Sequence, residues 1–113
     1  VKVDFVLGDM LQPIKLIQPK TTLIANLPYV PDGLVTSPEI KHEPARALFS
    51  GEDGLNHYKK MWLQIKQRND KPADVLIESL QSQHASLETM AKASSYRLTK
   101  TNLLIQHYQL VQV

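Results

Sequence analysis

A chain of 113 residues carrying a net charge of +2 and no cysteine has room for one small domain, which would bury about 60–70% of its unfolded surface. The charge is too slight to argue for a nucleic-acid face, and the lack of thiols excludes a disulfide framework and a thiolate metal site. A reducing compartment fits, and the cytoplasm is the expected location.

In chain order, Val3 to Leu7 reads as a short apolar strand ended by Gly8-Asp9. The chain thus begins at Val1 inside what looks like a strand, without an initiator Met, and reads as a piece of a longer protein. Pro13 and Pro19 mark a loop. Residues 21–26 form a second strand, whose Leu23, Ile24 and Ala25 read as buried on both faces, as in a parallel sheet. Residues 30–51, interrupted by proline and glycine, are too irregular for a long helix and read as an active-site-type loop. From Asp53 a helix is predicted, with Leu55, Tyr58, Met61, Trp62 and Ile65 on one face. Tyr58 and Trp62 read as core. Asn69-Asp70-Lys71-Pro72 stops this helix.

Ala73 to Ile77 reads as a third buried strand ending at Glu78. Ser82 is placed to cap a helix over residues 83–94 with Leu87, Met90 and Ala91 inward. Two further strands, Tyr96–Leu104 and Tyr108–Val113, would be joined by a turn near Gln106. No apolar run approaches the ~20 residues of a membrane span, no secretory leader is expected ahead of the fold, and no internal repeat is present. His42, His57, His84 and His107 are scattered without ligand spacing, so no metal site is expected. The pattern is α/β.

The chemistry gathers at Asn26-Leu27-Pro28-Tyr29. A strand running into this turn delivers an amide side chain, a rigid backbone carbonyl and an aromatic ring to the carboxyl edge of a sheet, where open α/β sheets bind ligands. Those groups suit a planar, amide-like NH2. Asn26 Oδ1 and the Leu27 carbonyl can accept its two protons, while Tyr29 packs on its flat face. A plain strand-to-loop corner would use the same residue types.

The downstream sequence narrows the reading. After Asn26-Leu27-Pro28-Tyr29-Val30-Pro31 come Glu43-Pro44-Ala45-Arg46-Ala47-Leu48 and Gly51-Glu52-Asp53-Gly54-Leu55. In that order and spacing, residues 3–113 resemble the C-terminal half of the HemK/PrmC family, S-adenosylmethionine-dependent methyltransferases of a glutamine side-chain nitrogen in peptide-chain release factors. The resemblance implies that residues 1–113 are the C-terminal part of a catalytic domain. The fold would be a partial Rossmann-like methyltransferase sheet with helices packed on it and a terminal antiparallel hairpin. Asn26 and Tyr29 would be catalytic, and Asn26, Leu27, Pro28, Tyr29 and Glu43 would bind the substrate. Asp9 and Asn26 would touch the cofactor. Asp9 reads equally as a turn aspartate, and Glu43 as an exposed loop carboxylate. Gly51 and Gly54 would serve backbone geometry at the helix start. Glu78, with Gln83 five residues on, matches the family's glutamate at the end of its fifth strand, although Leu80 stands where glycine is usual.

Two departures are visible. Leu27 replaces the family's usual proline, and Asn-Leu-Pro-Tyr is the form found in ribosomal-RNA adenine dimethylases. No Gly-x-Gly turn occurs, although in the family such a turn cradles the cofactor; it would lie upstream of Val1. The chain alone is therefore expected to bind S-adenosylmethionine weakly or not at all. The rivals are an adenine-N6 nucleic-acid methyltransferase and a non-catalytic fragment that folds without cofactor. A release factor is the expected partner, with no membrane and no nucleic acid. The resemblance also places Tyr108–Val113 antiparallel between Ala73–Ile77 and Tyr96–Leu104. It places two strands absent from this chain between Val3–Leu7 and Leu23–Ala25. The edge so opened would favour self-association, with residues 1–10 paired beside 21–26 or exchanged with a second copy.

Overall fold

The computed structural model describes residues 2–32, 51 and 53–111. Its elements are β1 (Thr22–Ala25), α1 (Asn56–Gln67), β2 (Asp74–Glu78), a 3-10 turn (Gln81–Gln83), α2 (His84–Ala93), β3 (Tyr96–Asn102) and β4 (Ile105–Leu110). The four strands form one mixed sheet in the order β1-β2-β4-β3. Strand β1 runs parallel to β2, with Leu23 opposite Val75 and Ala25 opposite Ile77. Strand β4 is antiparallel to both β2 and β3, so the terminal hairpin inserts its second strand beside β2, as expected.

Helix α1 forms where the apolar spacing of three and four residues predicts it. Tyr58, Met61, Trp62 and Ile65 are its buried residues, and Leu55 just ahead of it is buried too. They meet Leu87 and Ala91 of α2 and the inward side chains Val75, Ile77, Tyr96 and Tyr108. The Trp62 ring lies 5.4 Å from Tyr96 and edge-on to Tyr108 at 5.5 Å, contacts that add about 0.5–1.5 kcal/mol each beyond area burial. The ammonium of Lys71 donates to the Ile65 and Lys66 carbonyls and closes the last turn of α1, where a cation is also favoured by the helix dipole.

Both helices contribute to one core on one face of the sheet, and this corrects two expectations of burial. Strand β2 alternates, Val75 and Ile77 inward and Asp74, Leu76 and Glu78 half-buried. Strand β1 is the sheet edge, and its Ile24 is 75% exposed. An unbroken apolar run does not distinguish a strand covered on both faces from one covered on a single face.

The expected strand Val3–Leu7 does not form. These residues have no regular structure, and Phe5 and Leu7 are fully open. Residues 2–8 pair neither beside β1 nor with any other described strand. Apolar, β-prone residues make a strand only where a neighbour completes the ladder. The chain instead lies against α1 from residue 9 onward. The Leu11 N–H donates to Gln64 Oε1 at 2.9 Å, the Ile17 N–H to Asp70 Oδ2 at 2.7 Å, and Arg68 to the Ile14 carbonyl at 2.8 Å.

Two local details also differ. Ser82 caps nothing, because the entry to α2 is a 3-10 turn closed by Gln83, whose Oε1 accepts the Leu80 N–H at 2.9 Å. The hairpin turns at Leu103-Leu104, with Leu103 left-handed at φ 54°, and not near Gln106. Gln106 is buried in β4, where it accepts the Tyr108 hydroxyl at 2.7 Å.

Candidate functional site

The parallel strands β1 and β2 end side by side, and their carboxyl ends carry Asn26 and Glu78. Between them lies a shallow cavity of about 210 Å³ on the open face, lined by Ile24, Asn26, Leu76, Glu78 and Ile105 among others. Asn26 is exposed, and Leu27, Pro28 and Tyr29 are half-buried, Leu27 and Tyr29 packing against the core.

This segment after β1 is anchored from below. The Tyr58 hydroxyl, on the inner face of α1, accepts the Leu27 N–H at 3.2 Å and donates to the Glu78 carbonyl at 2.6 Å. The Ala25 carbonyl also lies 3.2 Å from it. Burial pushes the Tyr58 phenol up to about 12, so at neutral pH it keeps the proton that this bridge requires. Tyr29 is raised too, by burial and then by the charge of Glu78.

A second anchor comes from the loop between β2 and α2. The buried Gln83 carboxamide donates from Nε2 to the Tyr29 carbonyl at 2.7 Å and to the Asp53 carbonyl at 3.0 Å. Gly54 completes the contact. It is left-handed at φ 77°, and a Cβ there would stand 2.3 Å from the Tyr29 carbonyl oxygen. Gly51, left-handed at φ 79°, accepts the Asp32 N–H at 2.8 Å. Both glycines serve backbone geometry, as the sequence suggests. Asp53 stabilises the start of α1 by accepting the Leu55 N–H and pairing with Lys59, which hold its carboxyl below the usual range.

The expected site residues are only partly brought together. The expected turn at Asn26, Leu27, Pro28 and Tyr29 is an irregular segment without a turn, beside Glu78, and of the four only Asn26 lines the cavity. The Asp9 carboxylate pairs with Lys60 of α1, and Asp9 does not line the cavity. Glu43 lies outside the described residues. Sequence reasoning took Tyr58 for core alone and gave Gln83 no role. A signal for Tyr58 exists: a tyrosine on a buried helix face carries a hydroxyl that needs a partner. Elsewhere, His107 pairs with Asp74 at 2.8 Å on the sheet. Among the described residues no three metal-ligating side chains gather, and no helix is long and apolar enough to cross a membrane.

No protein-family model matches the chain. Curated relatives do. The release factor glutamine methyltransferase of Bacillus cereus is 40% identical over 81 residues, covering 68% of this chain and 29% of the relative. The protein of the same name from Bacillus anthracis is 38% identical over the same shares of each chain. That of Thermodesulfovibrio yellowstonii is 33% identical over 99 residues, covering 85% of this chain and 35% of the relative. The chain therefore spans about a third of the length of the curated relatives it matches. With these identities on a mixed α/β sheet, the chain belongs to the HemK/PrmC family of release factor glutamine methyltransferases.

Proposed function

We propose that this chain is the C-terminal, target-binding part of an S-adenosylmethionine-dependent methyltransferase that modifies the side-chain amide of a glutamine in a peptide-chain release factor. The observation that carries the reading is the Asn26–Tyr29 segment. It stands at the carboxyl end of a parallel strand, with its backbone held by Tyr58 and Gln83. An amide nitrogen is a poor nucleophile because its lone pair is delocalised into the carbonyl. Asn26 Oδ1 and the Leu27 carbonyl, accepting its two N–H groups, favour the positive charge that builds on nitrogen as that delocalisation is lost. Tyr29 holds the flat face of the amide, and the anchored backbone fixes its direction.

The described residues do not by themselves make a cofactor site. The Asp9 carboxylate is already paired with Lys60. Gly51 and Gly54 close one turn, with the Gly54 N–H donating to the Gly51 carbonyl, Gly8 lies elsewhere in the chain, and no Gly-x-Gly occurs. We assign cofactor binding to residues outside this chain.

The test uses the intact enzyme bearing this part. Asn26→Ala is expected to lower methylation of a release-factor glutamine by ~10²–10³ while cofactor affinity stays unchanged. Near wild-type turnover would overturn the reading. Calorimetric titration of S-adenosylmethionine into the isolated chain is expected to show no micromolar binding; a micromolar constant would overturn the assignment of the cofactor site elsewhere.

A further inference from the structure

We infer that Gln83 is a positioning residue of the target-binding segment, a latch that sets where Tyr29 stands by tying it to Asp53 ahead of α1. The inference rests on the function proposed above.

Three observations carry it. First, Gln83 is 95% buried and three of its carboxamide's bonding positions are used. Both Nε2 protons go to backbone carbonyls, Tyr29 at 2.7 Å and Asp53 at 3.0 Å, and Oε1 accepts the Leu80 N–H at 2.9 Å. That set fixes the amide's orientation, since only the NH2 end can face two carbonyls. Second, the partners come from three separate places in the chain: the segment after β1, the loop before α1 and the loop after β2. One side chain therefore sets their spacing. Third, the space around the latch is closed. A Cβ on Gly54 would fall 2.3 Å from the Tyr29 carbonyl and 2.6 Å from Gln83 Nε2. The Tyr29 carbonyl has no room to shift toward Gly54.

Neither Gln83 nor Tyr29 lines the cavity at Asn26 and Glu78, but Tyr29 follows Asn26 by three residues in the same segment. The effect of Gln83 on turnover must pass through Tyr29, whose ring and neighbouring backbone orient the target amide. Misplacing a positioning group by about 1 Å can cost ~10² in rate. The loss should therefore appear in kcat and leave ground-state binding nearly untouched.

The experiment compares two replacements in the intact enzyme bearing this part. Gln83→Glu keeps the shape and the acceptor for Leu80, but when ionised it faces two carbonyls with a carboxylate. When protonated it regains one donor. Its kcat relative to wild type is expected to fall as pH rises through the introduced carboxyl's titration, with KM for a release-factor peptide within a few-fold. Gln83→Met keeps the length and has no donor. It is expected to lower kcat by ~10² at every pH. In the 113-residue chain, the Tyr29 and Gly54 resonances are expected to shift in both variants. The Leu80 amide should stay protected in Gln83→Glu alone.

Folded Gln83→Met with wild-type kcat would overturn the inference, as would a Gln83→Glu rate ratio independent of pH. If either variant fails to fold, the other decides. Asn26→Ala run in parallel separates the two ideas. Wild-type turnover there removes the functional reading itself. An inactive Asn26→Ala beside fully active Gln83 variants removes only the latch.

Discussion

The phenol oxygen of Tyr58 stands between Leu27 and Glu78, taking the N–H of one at 3.2 Å and giving its proton to the carbonyl of the other at 2.6 Å. The last β1–β2 pair in register is Ala25 with Ile77, so this bridge begins where the sheet ladder stops. Backbone groups at such an end must find partners if they are shielded from water. A helix side chain supplies them, and so the core and the candidate site share one residue.

Tyr58→Phe tests that bridge. It removes one oxygen and leaves the Leu27 N–H and the Glu78 carbonyl without their partner, at a cost of about 1–3 kcal/mol. Urea unfolding should show the midpoint falling with an unchanged slope. A change of only a few tenths of a kcal/mol would mean that water replaces the hydroxyl without penalty.

Alkali should unfold the chain through its buried tyrosines. Burial holds Tyr58 up at about 12 and pushes Tyr96 and Tyr108 up as well, against 10.0 for a free phenol. Folded values raised above unfolded ones mean that stability is intact below pH 10. It is lost as pH climbs from about 10 to 12, because the unfolded chain releases its protons first. Tyrosinate absorbance and far-ultraviolet circular dichroism should therefore change together. Ionisation of all three near pH 10 in a chain that keeps its dichroism would contradict this.

Acid should loosen the segment that lies along α1. The Arg68 guanidinium, and then the Ile17 N–H, hold the Asp70 carboxyl down at about 2. A depressed value means its contribution is complete above pH 4 and disappears as pH falls from about 4 to 2. Asp70→Asn mimics that loss at neutral pH. Amide exchange should accelerate across residues 9–17, with sheet amides unaffected. Equal protection in both proteins would show that the remaining Arg68 bonds to the Leu11 and Ile14 carbonyls suffice.

Gly54→Ala and Gly51→Ala should rank in a definite order. Both positions are left-handed, so each replacement costs about 1 kcal/mol for the backbone alone. The added Cβ at Gly51 meets the Asn56 side chain, which can swing away. At Gly54 it meets the Tyr29 carbonyl oxygen, which is backbone. Gly54→Ala should therefore lower Tm further, and should shift Tyr29 resonances that Gly51→Ala leaves alone. Equal Tm losses would show that the Tyr29 segment yields easily.

The sequence by itself determined the elements whose signal is periodic or local. The three-and-four spacing from Leu55 to Ile65 placed a buried helix face. The strand running into Asn26-Leu27-Pro28-Tyr29 placed the candidate segment at a sheet edge. Gly51 and Gly54 marked special backbone geometry at the helix start, and the downstream motifs named the family. Only the tertiary structure decided which apolar runs found a cover. Ile24 sits on an open face, and Val3–Leu7 forms no strand, because a ladder needs a neighbour that local residues do not specify. The hairpin turns at two exposed leucines because Gln106 is drawn inside by the Tyr108 hydroxyl. The anchors of the site stayed hidden for a related reason. Tyr58 meets Leu27 across 31 residues, and Gln83 meets Tyr29 across 54. Hydrogen bonds at such separations are set by how the helices seat on the sheet, a geometry that no local pattern of side chains encodes.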